Sequence, residues 1–207
     1  MSKLKMNKIK LTFALPVYNQ EKLIIKALDS IPNRDDIEII VCDDGSTDLT
    51  YQKTDEYKRS NNKNIILFDN KENKGVAYTV NRLYDKAKGE YIVLLGSDDY
   101  FYTEEFEKAI ELLDGTDLVY FNLQINDGTI FRLNEETKHN YCGSTKFIKR
   151  DFLGNTRNPE VKAREDWFFY KELLKKNPTE KFTDLTIKRY NFPRVGSLTD
   201  LACKGQI

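Results

Sequence analysis

Two adjacent carboxylate pairs, Asp43-Asp44 and Asp98-Asp99, are the residues whose type and placement could best do chemistry in this chain. Each follows a short apolar run: Ile37 to Cys42 leads into Asp43-Asp44-Gly45-Ser46, and Tyr91 to Leu95 leads into Gly96-Ser97-Asp98-Asp99. Neighbouring carboxylates in one crevice repel and raise each other's pKa, and a cation between them and a ligand relieves the repulsion. Their oxygens are hard donors suited to Mg²⁺ or Mn²⁺, ions that bridge one or two carboxylates to phosphate oxygens. Asp98 and Asp99 are therefore read as a metal–diphosphate site. The plain alternative is a turn or a helix start in which Asp acts as a cap.

The elements that must position these pairs alternate in period. Leu11 to Leu15, Ile37 to Cys42, Ile65 to Phe68 and Tyr91 to Leu95 are apolar runs of strand length. Between them lie helical spacings over Leu23 to Ile31, Leu49 to Arg59 and Val76 to Lys88, and another follows over Glu104 to Leu113. Ser46 or Thr47 is the expected cap of the second helix, and Gly89 the expected C′ residue of the third. Alternating strands and helices with near-continuous apolar strands predict an α/β fold, with a mostly parallel, Rossmann-like sheet covered by helices on both faces. In such sheets ligands bind at the carboxyl ends of the strands, where both acidic pairs fall. Beyond residue 115 the pattern is less regular. A hairpin turns at Asn126-Asp127-Gly128, a linking region reaches Lys146 to Phe152, a helix covers Glu165 to Lys175, and a strand covers Phe182 to Tyr190.

The 207 residues suit one domain, and 33 basic against 33 acidic side chains argue against a global field for nucleic acid or anionic membrane. Cys42, Cys142 and Cys203 have no metal-ligand spacing and read as reduced thiols of a cytoplasmic protein. The basic start, Met1 to Lys10, lacks the apolar stretch of a signal peptide, and no run is long enough to span a bilayer. The expected location is cytoplasmic, with peripheral attachment at the inner face of the membrane left open.

Pro16-Val17-Tyr18-Asn19, Asp43-Asp44-Gly45-Ser46-Thr47-Asp48, Asn73-Lys74-Gly75 with Asn81, Ala87-Lys88-Gly89-Glu90-Tyr91 and Leu95-Gly96-Ser97-Asp98-Asp99 stand in this order along the chain. In order and spacing the set resembles the family 2 glycosyltransferases of GT-A fold, over about residues 9 to 113. The resemblance implies an inverting, metal-dependent, non-processive transfer of a sugar from a nucleotide-sugar, with UDP favoured, to a glycan, lipid-linked or protein acceptor. It places the chain in surface glycan or polysaccharide synthesis, and no nucleic-acid partner is expected. Residues 9–115 would form the nucleotide-sugar half and 116–207 the acceptor half.

By the same resemblance Pro16 and Tyr18 line the base pocket beside Asn19, and Asp44 accepts the imide N–H of uracil or thymine. Lys74 or the Gly75 backbone approaches ribose or phosphate, together with Asn81. Asp98 contacts ribose and, with Asp99, holds Mn²⁺ or Mg²⁺. Arg164-Glu165-Asp166-Trp167 resembles the Glu-Asp motif of the family, which makes Asp166 the base and Glu165 an acceptor-contacting or orienting residue. Arg194, in an Arg-x-Gly-Ser segment, would reach the diphosphate. Two positions depart from the pattern: Gly96 stands where many relatives carry Asp, and Val80 where they often carry Arg. A nucleotidyltransferase is disfavoured because no Gly-rich basic loop follows the first strand. A non-catalytic nucleotide-sugar-binding protein of the same fold is the remaining alternative.

Overall fold

The computed structural model describes residues 8–139, 143–161 and 164–192. The described residues form one nine-stranded sheet. Its first part is β1 (Leu11–Val17), β2 (Ile37–Asp43), β3 (Ile65–Asp69) and β4 (Tyr91–Leu94), connected through α1 (Ile24–Asp29), α2 (Thr50–Ser60) and α3 (Val76–Lys86). These strands lie in the order β3-β2-β1-β4, every pair parallel. The chain builds outward from β1 to β3, then crosses through α3 to the other side of β1. The crevice at the carboxyl ends of β1 and β4 is therefore the topological switch point of the sheet.

The second part is mixed. After β5 (Tyr100–Phe101) and α4 (Thr103–Glu111) come β6 (Leu118–Gln124), β7 (Ile130–Phe131), β8 (Lys146–Lys149), α5 (Arg150–Leu153), α6 (Glu165–Leu174) and β9 (Glu180–Arg189). β8 enters between β4 and β6, antiparallel to both, while β9 runs parallel to β6 and antiparallel to β5. The expected linking region from Lys146 to Phe152 is thus strand β8 followed by the short α5, and the two-residue β5 had no sequence signal of its own. The hairpin at Asn126-Asp127-Gly128 is present, with β6 and β7 paired antiparallel on either side.

Alternation along the strands divides the core between two faces. Leu11, Phe13 and Leu15 of β1 pack with Ile39 and Val41 of β2 beneath Ile24 and Leu28 of α1 and Phe106 and Ile110 of α4. Ala14, Ile40, Cys42 and Ile92 point the other way, against Val80, Leu83 and Tyr84 of α3 and Phe169, Tyr170 and Leu173 of α6. Burying each large apolar side chain contributes about 1.5–3 kcal/mol, so this two-sided packing holds the strand ends in place. Cys42 is fully buried and burial pushes its thiol up to about 12, as expected of a small hydrophobe.

Two local expectations are corrected. α3 ends at Lys86 with Ala87 extended, so Gly89 is not its C′ residue. Gly89 instead lies against β1: a Cβ there would sit 2.5 Å from the Thr12 backbone nitrogen, and its N–H donates to Thr12 Oγ1 and to buried Glu38 Oε1. Neither Ser46 nor Thr47 caps α2. The Thr50 N–H donates to Asp48 Oδ1 at 2.9 Å, while Ser46 Oγ accepts the Asn19 N–H.

Candidate functional site

The end of β1 supplies Pro16, Tyr18 and Asn19. Tyr18, the residue after β1, is 42% exposed. Asn19 adopts φ 51°, in the left-handed region that Asn tolerates better than most residues. Its side-chain oxygen accepts the Thr47 N–H at 2.9 Å, so Asn19 fastens the β1 end to the loop after β2.

At the end of β2, Asp44 is buried and engaged by neutral donors. Its Oδ1 accepts from Asn70 Nδ2 at 2.7 Å and the Lys74 N–H at 2.8 Å, and its Oδ2 accepts the Gly75 N–H at 2.9 Å. The last two donors open α3, where the helix dipole favours a negative charge. Asn70 is itself saturated, donating also to Thr79 Oγ1 and accepting from Cys42 Sγ and Arg82. Three donors on a carboxylate with about four lone-pair sites leave Asp44 room for one more. The ammonium of Lys74 pairs with Glu72 on the surface. Asn81 bonds the 158 peptide and side chain, which ties α3 to the segment before α6, while Val80 packs in the core.

At the end of β4 a tight turn closes with the Asp99 N–H on the Gly96 carbonyl at 3.0 Å. Asp98 is half-buried at this turn. Asp99 is 3% exposed, and its two oxygens have separate partners: Lys188 Nζ at 2.8 Å from Oδ2, and the Asn191 N–H at 2.9 Å from Oδ1. Burial raises the pKa of Asp99 and Lys188 opposes that shift. Sequence reasoning missed Lys188. Its only signal was a lysine beside Ile187 within a strand-like stretch, and nothing local says that this lysine faces inward.

Glu165 and Asp166 begin α6, entered through Arg164 at φ 61°, a backbone conformation costing a bulky residue about 1–3 kcal/mol. Burial, and secondarily Asp166, raises the pKa of Glu165. Asp166 lines a small cavity of about 20 Å³ with Tyr84, Leu94 of β4, Gly143, Lys146 and Phe169. A Cβ on Gly143 would lie 3.2 Å from Asp166 Oδ2, so the segment before β8 rests directly against this carboxylate. The Tyr84 hydroxyl at the same place is buried without a partner among the described residues. His139 is exposed near Tyr170, and Trp167 is 38% exposed beside Phe168. Arg194, Cys142 and Cys203 lie outside the described residues.

A bound Mn²⁺ or Mg²⁺ is tested by this donor set. Among the described residues no cluster of three or more His, Cys, Asp or Glu side chains is arranged to hold a metal. Asp98 fits an ion that takes one carboxylate and completes its shell with waters and substrate phosphates, as Mg²⁺ commonly does. Asp99 fits less well, because its oxygens are occupied. No helix among the described residues is long and apolar enough to cross a membrane.

The sequence pattern of glycosyl transferase family 2 matches residues 12–177. The chain is 31% identical over 147 residues to the putative glycosyltransferase EpsH of Bacillus subtilis, covering 68% of this chain and 42% of that protein. It is 29% identical over 192 residues to the Escherichia coli UDP-Glc:alpha-D-GlcNAc-diphosphoundecaprenol beta-1,3-glucosyltransferase WfaP, covering 85% of this chain and 74% of that one. The chain thus spans less than half the length of the first relative and about three quarters of the second. In fold it is similar to S. aureus TarS 1–349 in complex with UDP-GlcNAc, with TM-score 0.79 and 24% identity over 91% of this chain and 60% of TarS 1–349.

Proposed function

The chain belongs to glycosyl transferase family 2, and on that premise we propose that it transfers a sugar from a UDP-sugar to a hydroxyl acceptor with inversion at the anomeric carbon. One observation carries the reading: Asp166 shares its cavity with Leu94 of β4, the strand whose end bears Asp98 at the switch-point crevice. The support lies in Asp166 facing a cavity at the end of β4, the strand that precedes the turn bearing Asp98. Residues 9–115 act as the donor half and 116–207 as the acceptor half.

On this reading Tyr18 and Pro16 flank the base, and the remaining lone-pair site of Asp44 accepts the imide N–H of uracil. Asp98 contacts the ribose and would hold Mn²⁺ or Mg²⁺, an ion that would neutralise charge on the departing diphosphate. Asp166 removes the proton from the acceptor hydroxyl as the new C–O bond forms and the bond to the diphosphate breaks. One base carboxylate suffices, because the leaving group needs no protonation. The acceptor we favour is a lipid-linked glycan in surface-polysaccharide synthesis. Support comes from WfaP, whose name gives UDP-Glc and a diphosphoundecaprenol-linked GlcNAc.

Calorimetric titration of UDP with and without Mn²⁺, followed by a transfer assay on Asp166→Asn, tests the proposal. Manganese-dependent UDP binding is expected in both proteins, with transfer by the variant reduced about 100-fold or more. Absence of UDP binding with any metal sinks the donor assignment, and transfer at the parent rate by Asp166→Asn sinks the base.

A further inference from the structure

We infer that Lys188 is a positioning residue that occupies Asp99 and confines the metal of the donor site to Asp98. The inference rests on the donor reading above and concerns a residue outside the motifs that suggested it. Lys188 is 0% exposed, with its Nζ 2.8 Å from Asp99 Oδ2. It also donates to Ser144, to the hydroxyl and, at 3.4 Å, to the carbonyl. An ammonium has three N–H donors, and these contacts use all of them. The backbone is fixed as well: Lys188 sits opposite Phe101 on one side and Leu123 on the other, so β9 is held between β5 and β6.

Gly96 makes the pairing possible. A Cβ at that position would stand 2.8 Å from Asp99 Oδ2 and 3.2 Å from Asp98 Oδ1, so a larger residue would force the Asp99 carboxylate to shift. A metal reaching Asp99 would have to displace a buried ammonium from every one of its acceptors. The lysine also joins two parts of the site, since Ser144 adjoins Gly143, which rests against Asp166. It acts through Asp99 and Ser144, not on substrate.

The test compares Asp98→Asn, Lys188→Met and the charge-neutral double variant Asp99→Asn/Lys188→Met with the parent, reading Mn²⁺-dependent UDP affinity and thermal melting with and without Mn²⁺. Asp98→Asn should weaken the manganese-dependent affinity at least tenfold, while the double variant stays within about threefold of the parent. Lys188→Met alone should melt roughly 10 °C lower, and the double variant should recover most of that loss. Because Lys188→Met frees a carboxylate, Mn²⁺ without nucleotide should raise its melting temperature more than the parent's. Equal loss of manganese-dependent UDP binding in the double variant and Asp98→Asn overturns the inference, as does equal melting of the single and double variants. If the parent itself binds no UDP, the donor reading has failed, and the nucleotide-free melting comparison still decides the role of Lys188.

Discussion

The ends of β2 and β4 each carry an Asp-Asp pair, yet the second aspartate of each pair is stabilised by opposite means. Asp44 is held by an amide side chain and two peptide N–H groups, all within the next 31 residues. Asp99 is held by an ammonium and a peptide N–H delivered by β9 and the residues just after it, near the far end of the described chain. The partners of Asp44 are all neutral donors, whereas one partner of Asp99 is a cation. The ion pair with Lys188 offsets the charge of Asp99. Identical dipeptides following two parallel strands thus have different partners because those partners come from different distances along the chain.

This contrast can be broken most sharply by removing one partner at each end. Lys188→Met leaves a buried carboxylate without its counter-ion and should cost about 3–5 kcal/mol, measured by urea denaturation. Asn70→Ala removes a neutral donor from Asp44 and should cost about 1–3 kcal/mol. Equal losses would mean that the ion pair at Asp99 is no more than another hydrogen bond.

A smaller effect is expected at Gly96. The Gly96→Ala methyl meets a side-chain carboxylate 2.8 Å away, and the rearrangement should cost about 1–3 kcal/mol. In the Lys188→Met background much of that cost should vanish, because Asp99 is then free to turn away. A double-mutant cycle measures the coupling, and strict additivity would separate Gly96 from the ion pair.

Asp43 sharpens the comparison with the smallest effect. Its Oδ1 accepts the Ser46 N–H at 2.6 Å, its Oδ2 is buried without a partner among the described residues, and burial raises its pKa. A carboxyl whose folded pKa is raised binds its proton more tightly in the folded state. Its contribution to stability therefore falls as pH rises from the unfolded value through the folded one. Asp43→Asn should lie within about 1 kcal/mol of the parent at pH 7, with the difference moving in the variant's favour as pH climbs through that window. Melting curves across that range check the sign, and a variant that loses ground as pH rises contradicts the assignment.

Much of this molecule was legible in its residues. Short apolar runs and helical spacing located the strands and helices of the first half, because both patterns belong to single segments and need no partner. The acidic pairs fell at strand ends for the same reason, and Glu165-Asp166 fell at a helix start. What the sequence could not determine was strand order beyond β4. That order places β8 against β4, brings β9 between β5 and β6, and turns Lys188 inward onto Asp99. It also assigns Asn81 to the segment around Asn158 and sets Gly143 against Asp166. A residue's type and its neighbours specify which groups can bond, but sheet pairing decides which of them meet. The partner of a buried charge is therefore a property of the tertiary structure alone.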